Sequence, residues 1–162
     1  VYPRFYLEGD PDAALPAAAR AVNDAMPSYA AERLEKALGG LQGARVLVLG
    51  AAYRGGVKET AFSGVFGVIK ALEALGANAL VSDPLYSDEE LTALGLTPWD
   101  GEAIDAAIVQ ADHAEYAKLS AADLPGARIV LDGRGVLDAA SLAAAGIAVE
   151  LIGRPGPSSP AS

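Results

Sequence analysis

Three cations in this sequence stand where they could grip an anion: Arg54 and Lys58 in the stretch Gly50-Ala51-Ala52-Tyr53-Arg54-Gly55-Gly56-Val57-Lys58-Glu59-Thr60, and Arg134 in Asp132-Gly133-Arg134. Each follows a short apolar run, Arg45–Leu49 for the first pair and Ile129–Leu131 for the third. Runs of this kind are buried parallel strands. Open parallel sheets bind ligands beyond the carboxyl ends of their strands, at the point where strand order reverses. A guanidinium donates two parallel hydrogen bonds to a phosphate, so the chemistry these positions suit is anion binding.

Neither standard phosphate loop is present. Ala52 stands where a GxGxxG dinucleotide fingerprint needs its second glycine, and Gly56 and Val57 occupy the Lys and Ser/Thr positions of a P-loop. Asp112-His113 has the composition of an acid–base couple. No serine or cysteine nucleophile has context beside it, so packing or capping is the expected role of His113. Asp132 is expected to fix its loop or cap a helix.

The rest of the composition narrows the function further. A formal charge of −9 and the absence of any Lys/Arg run argue against a nucleic-acid partner. Any phosphate must be held by a few local cations against that background. With no cysteine and one histidine, zinc thiolate sites, disulfides and a cysteine nucleophile are excluded within the 162 residues. No apolar run approaches the ~18 residues of a membrane span. Val1-Tyr2-Pro3-Arg4 lacks the pattern of a signal peptide, so a cytoplasmic setting is expected.

Strand signals at 45–49, 79–82, 104–109, 129–131 and 148–152 alternate with helix signals. Ser63 is positioned to cap a helix that Gly76 closes, and Ser87 a helix over 88–94. Shorter helices are expected over 113–119 and 138–145. The pattern predicts an α/β fold, a Rossmann-like open, mostly parallel sheet flanked by helices. Ahead of it lies a long amphipathic helix over 12–38, ended by Gly39-Gly40 and kinked or restarted at Pro27. Its apolar positions need a partner, either their own domain or another subunit. The organisation expected is a helical segment over 1–40, a compact domain over 41–153 and a disordered Pro/Ser/Gly tail over 154–162.

VLVLGAAYRGGVKET, over Val46–Thr60, resembles the start of the UDP-binding domain in the UDP-glucose/GDP-mannose dehydrogenase family. GANALVSDPLYSDEEL, DGEAIDAAIVQADHAEYAKL and LDGRGVLD continue the likeness in the family's order. Upstream, VYPRFYL and AARAVNDAMPSYAAERL resemble the passage from the catalytic cysteine loop into a dimer-forming helix. The likeness covers residues 1–153, and YRGGVKET is most similar to the branch typified by UDP-N-acetylmannosamine dehydrogenases.

Several expectations follow from this resemblance alone. The whole enzyme would oxidise the C6 alcohol of a UDP-sugar twice, to the uronic acid, with NAD bound by an N-terminal domain and a cysteine placed just before Val1. This chain would be the C-terminal part that holds the UDP-sugar and would be inactive alone. It would form a homodimer through residues 13–38. Tyr53, Arg54 and Arg134 match ligand-binding positions, and Lys58 lies in the same loop. Many relatives carry arginine where Ala61 stands and proline where Gly64 stands, so any contact of that arginine is missing here. Two alternatives remain at this point, a stand-alone nucleotide-sugar-binding module and a different Rossmann-like protein binding CoA or NAD.

Overall fold

The computed structural model describes residues 8–10 and 12–153. The tail from 154, and residues 1–7 and 11 of the expected irregular start, lie outside the described residues. The elements are α1 (Ala14–Leu38), β1 (Arg45–Leu49), α2 (Val65–Ala74), β2 (Asn78–Ser82), α3 (Asp88–Ala93), β3 (Ala106–Val109), β4 (Ile129–Asp132), α4 (Ala139–Ala144) and β5 (Ala148–Leu151). Short 3₁₀ turns at Ala114–Lys118 and Ala121–Asp123 take the place of a helix after β3. No helix among the described residues is long and apolar enough to cross a membrane.

All five strands are parallel, in the order β2-β1-β3-β4-β5. Side chains alternate between the two faces of a strand, and β1 shows the result directly. Val46 and Val48 join Leu34, Val65, Leu72 and Leu91 on the face covered by α1, α2 and α3. Leu47 and Leu49 join Tyr116, Leu124 and Leu142 on the opposite face. Both faces are covered, which is why the strands read as continuous apolar runs.

Local departures from the expected elements have simple causes. β3 begins at Ala106 rather than Ile104, because the Ile104 N–H donates to Pro125 O outside the ladder. Gly64, not Ser63, is the residue preceding α2, although the Ser63 hydroxyl still accepts from the Val65 N–H at 3.2 Å. Ser87 caps α3 in a reciprocal capping box with Glu90.

α1 runs unbroken through Pro27 instead of restarting there. The pyrrolidine ring packs on Gly67 of α2, where an added β-carbon would meet it at 2.9 Å. The two ends of α1 have different environments. Ala30, Ala31 and Leu34 are buried in the domain's own core, and Leu38 packs at its edge. Arg33 fastens this end to β5, donating to Glu150 at 2.6 Å and to the Leu151 carbonyl at 3.1 Å. Leu15 and Val22, by contrast, are exposed. Partnering with its own domain therefore accounts for the C-terminal half of the helix, from about Pro27 onward, and not for the rest.

Candidate ligand-binding cleft

Strand order reverses between β1 and β3: α2 leaves β1 toward one face, while the 3₁₀ turns leave β3 toward the other. That is the place where the fold opens a crevice. The loop after β1 is held there by a carboxylate from the neighbouring strand end. Asp83, buried at the end of β2, accepts from the Ala51 and Ala52 N–H groups at 2.7 and 3.0 Å. Its other oxygen accepts from Leu85 N–H at 2.8 Å. The backbone donors that a phosphate loop would turn toward its ligand are thus taken by the chain's own anion. With the Ala52 N–H committed to Asp83, the second glycine of a dinucleotide loop is not required at this position.

His113 Nε2 lies 3.1 Å from Asp83, and its Nδ1 faces the Gly56 N–H at 3.4 Å. With Gly56 donating to Nδ1, the ring proton lies on Nε2 and goes to Asp83. His113 is buried and stands edge-on to Tyr116, with ring centroids 5.4 Å apart. The packing role expected for it is the one observed, and its carboxylate is Asp83 rather than its neighbour in sequence. Asp112 instead accepts from Gly55 N–H at 2.8 Å, which holds its carboxyl below the usual range. A β-carbon on Gly55 would lie 2.0 Å from the Asp112 carbonyl oxygen, so only glycine fits this crossing of the two loops. Burial, with Asp83 nearby, pushes the Tyr116 phenol up, and its hydroxyl donates to Ser82 O.

Beyond the strand ends lies a cleft of about 310 Å³. Tyr53, Gln110, Gly133 and Arg134 line it from the sheet edge, and Asn23 and Met26 from α1. Arg134 is fixed from two directions. Its backbone N–H donates to Asp132 at 2.9 Å, and its Nε donates to Gln110 O at 2.6 Å. Buried Asp132 also accepts from Gly135 and Leu137, the loop-fixing role expected of it. Nη2 of Arg134 reaches the Tyr53 carbonyl at 3.5 Å. Of the five N–H donors of a guanidinium, those on Nη1 and one on Nη2 remain for a ligand.

The other expected residues have different surroundings. Arg54 is exposed, its Nε donating to the Tyr53 hydroxyl at 2.7 Å and its guanidinium 5.5 Å from that ring's centre. Lys58 is turned toward α3, paired with Glu90 and lying 5.1 Å over the Tyr86 ring. The structure therefore brings Tyr53 and Arg134 together in the cleft, sets Arg54 against Tyr53, and directs Lys58 elsewhere. Phe62, also in the lining, is exposed and has a left-handed backbone with φ of 63°. Among the described residues no group of three or more metal-ligating side chains exists.

Residues 47–139 match the model of the UDP-glucose/GDP-mannose dehydrogenase family, UDP binding domain. The chain is 29% identical over 161 residues to a UDP-N-acetyl-D-mannosamine dehydrogenase of Methanococcus maripaludis, covering 93% of this chain and 37% of that protein. Among solved structures, a UDP-glucose dehydrogenase from the hyperthermophilic archaeon Pyrobaculum islandicum superposes with a TM-score of 0.68 at 28% identity, over 85% of this chain and 32% of the other. A UDP-D-ManNAc dehydrogenase from Pyrococcus horikoshii shares the fold with a TM-score of 0.74 at 24% identity, over 94% of this chain and 37% of the other. The chain thus spans little more than a third of the length of the curated relatives it matches.

Proposed function

Because the chain belongs to the UDP-glucose/GDP-mannose dehydrogenase family, we propose that it is the part of a UDP-sugar 6-dehydrogenase that grips the nucleotide sugar. In the whole protein the C6 alcohol is oxidised to a uronic acid for polysaccharide synthesis in the cytoplasm. NAD supplies the hydride acceptor. The residues here do not fit that dinucleotide, since Asp83 already fills the turn after β1. NAD is therefore assigned to a part of the protein outside this chain, and no step of its chemistry is carried by these residues.

The observation that supports this reading best is Arg134, fixed at the cleft with donors left over. Arg134 holds the diphosphate, Tyr53 supplies an aromatic wall, and Arg54 closes over the ligand from the rim once it leaves the Tyr53 hydroxyl. One strand separates β1 from β4, so the two arginine-bearing loops start ~10 Å apart at ~4.8 Å per strand, a gap that two extended side chains span. Lys58 can join them only by leaving Glu90. A second copy of the chain packs on the exposed stretch of α1 around Leu15 and Val22, giving a homodimer.

Calorimetric titration of UDP and uridine tests the site. UDP should bind measurably and uridine far more weakly. Equal affinity for the two would remove the diphosphate from the cleft. Mixing the chain with NAD and a UDP-sugar should yield no NADH, and light scattering should give the mass of a dimer that falls on Val22→Glu.

A further inference from the structure

Gln110, directly after β3, carries a polar side chain that the site as described does not use. It is one of four polar or charged residues buried in the described structure, 8% exposed, and it is among the residues that line the cleft with Arg134. Its Nε2 donates to the Ser63 hydroxyl at 3.3 Å. With its proton on Ala52 O at 3.2 Å, Ser63 faces the amide as an acceptor, which is the arrangement that puts Nε2 on its side. Oε1 is then left without a partner, the one buried side-chain oxygen or nitrogen in that state among the described residues. A buried acceptor left unpaired costs free energy, which a donor from a bound molecule would recover. Gly64 makes room for the amide: a β-carbon there would press on Nε2 at 3.2 Å.

We propose that Gln110 is a recognition residue whose Oε1 accepts a hydrogen bond from an N–H or O–H of the bound nucleotide sugar. The inference rests on the cleft being the nucleotide-sugar site. Phosphate is excluded as the partner, because at neutral pH a diphosphate offers oxygen acceptors and no donor. Arg134 and Gln110 thus divide the ligand by chemistry, the guanidinium taking the anion and the amide oxygen taking a proton-bearing group next to it. Two sources carry such a group: the imide N–H of the uracil ring, and the hydroxyls of the ribose or hexose.

The test uses the 162-residue chain and its Gln110→Leu, Gly64→Ala and Arg134→Ala variants. Each is titrated with UDP, with N3-methyl-UDP, which lacks the imide proton, and with UDP-glucose. Gln110→Leu should weaken binding about 10-fold while leaving the thermal midpoint of the free protein unchanged or raised, since it removes an unpaired acceptor from the interior. Gly64→Ala, which crowds the amide without removing it, should weaken binding by a smaller factor. If the Gln110→Leu loss disappears with N3-methyl-UDP, the donor is the base. If it persists there, the donor is a ribose hydroxyl, and if it appears with UDP-glucose alone it is the hexose. Unchanged affinity of Gln110→Leu for all three ligands, with Arg134→Ala weakened, overturns the role of Gln110 and leaves the diphosphate site standing. A wild-type chain that binds none of the three overturns both.

Discussion

The loops after β1 and β4 lie at the same edge of one sheet, and both carry an arginine, yet the structure uses them in opposite ways. The β1 loop is long and glycine-rich, the kind of segment that cradles phosphate elsewhere. Its inner N–H groups are nevertheless consumed by Asp83, and its arginine lies exposed against Tyr53. The β4 loop is short. Its carboxylate, Asp132, holds the loop's own backbone, and Arg134 is thereby presented to the cleft with donors unspent. Capacity to bind an anion follows from which donors a fold leaves unpaired and fixed, not from how many cations or glycines a loop contains.

This contrast can be broken at several points. The largest effect is expected from Asp83→Ala, which orphans the buried N–H groups of Ala51 and Ala52, frees Leu85 N–H and leaves the His113 Nε2 proton without its acceptor. At ~1–3 kcal/mol per buried group left unsatisfied, the loss should exceed ~3 kcal/mol in denaturant unfolding. A loss below ~1 kcal/mol would mean that the β1 loop organises itself without the carboxylate. Next comes Arg134→Ala. Removing charge-assisted hydrogen bonds of ~1.5–3 kcal/mol should weaken UDP binding roughly 10- to 150-fold. Arg54→Ala should cost less, about 3- to 5-fold, since an exposed guanidinium gives up hydration and its contact with Tyr53 before it can engage. A loss equal to that of Arg134→Ala would show the two loops contributing alike and end the contrast.

Acid should act on the junction between the β1 and β3 loops. Asp112 is held below the ordinary range mainly by Gly55 N–H, so its stabilising contribution is fully present above the unfolded carboxyl value. It fades as pH falls through the depressed folded value, below pH ~4. Amide exchange at Gly55 should therefore be insensitive to pH changes near neutrality once corrected for the intrinsic rate, and lose protection only in that acid window. The smallest effect belongs to Lys58→Ala. Its pair with Glu90 is exposed and screened by solvent, and UDP affinity should change by less than about twofold. A tenfold loss would bring Lys58 into the ligand's reach.

Much of this was legible in the residues. Continuous apolar runs such as Val46–Leu49 disclosed a parallel sheet covered on both faces, and Asp132-Gly133-Arg134 after such a run placed an arginine at the carboxyl edge of the sheet, where the cleft lies. Strand order was not legible, because a crossover of a given length reaches either neighbour. Asp83 and Gln110 were missed for a shared reason: a polar residue closing an apolar strand looks the same whether it faces solvent, a loop or a ligand. The fate of α1 was half legible. Spacing showed that its apolar positions need partners, but Leu34 and Val22 look equivalent until the rest of the chain folds against one of them.

That last division bears on how this unit could be moved between proteins. The compact domain, as delimited by its first strand, begins at Arg45, but Ala30, Ala31 and Leu34 are part of its core and Arg33 is tethered to β5. A chimera joined at residue 40 would lack that wall, and losing Leu34 alone should cost ~2–5 kcal/mol. The portable piece starts a full three turns earlier, near Ser28, and any graft must therefore import a helix from its donor. Whatever is attached upstream then meets the domain through that helix, an element built into the domain's own core.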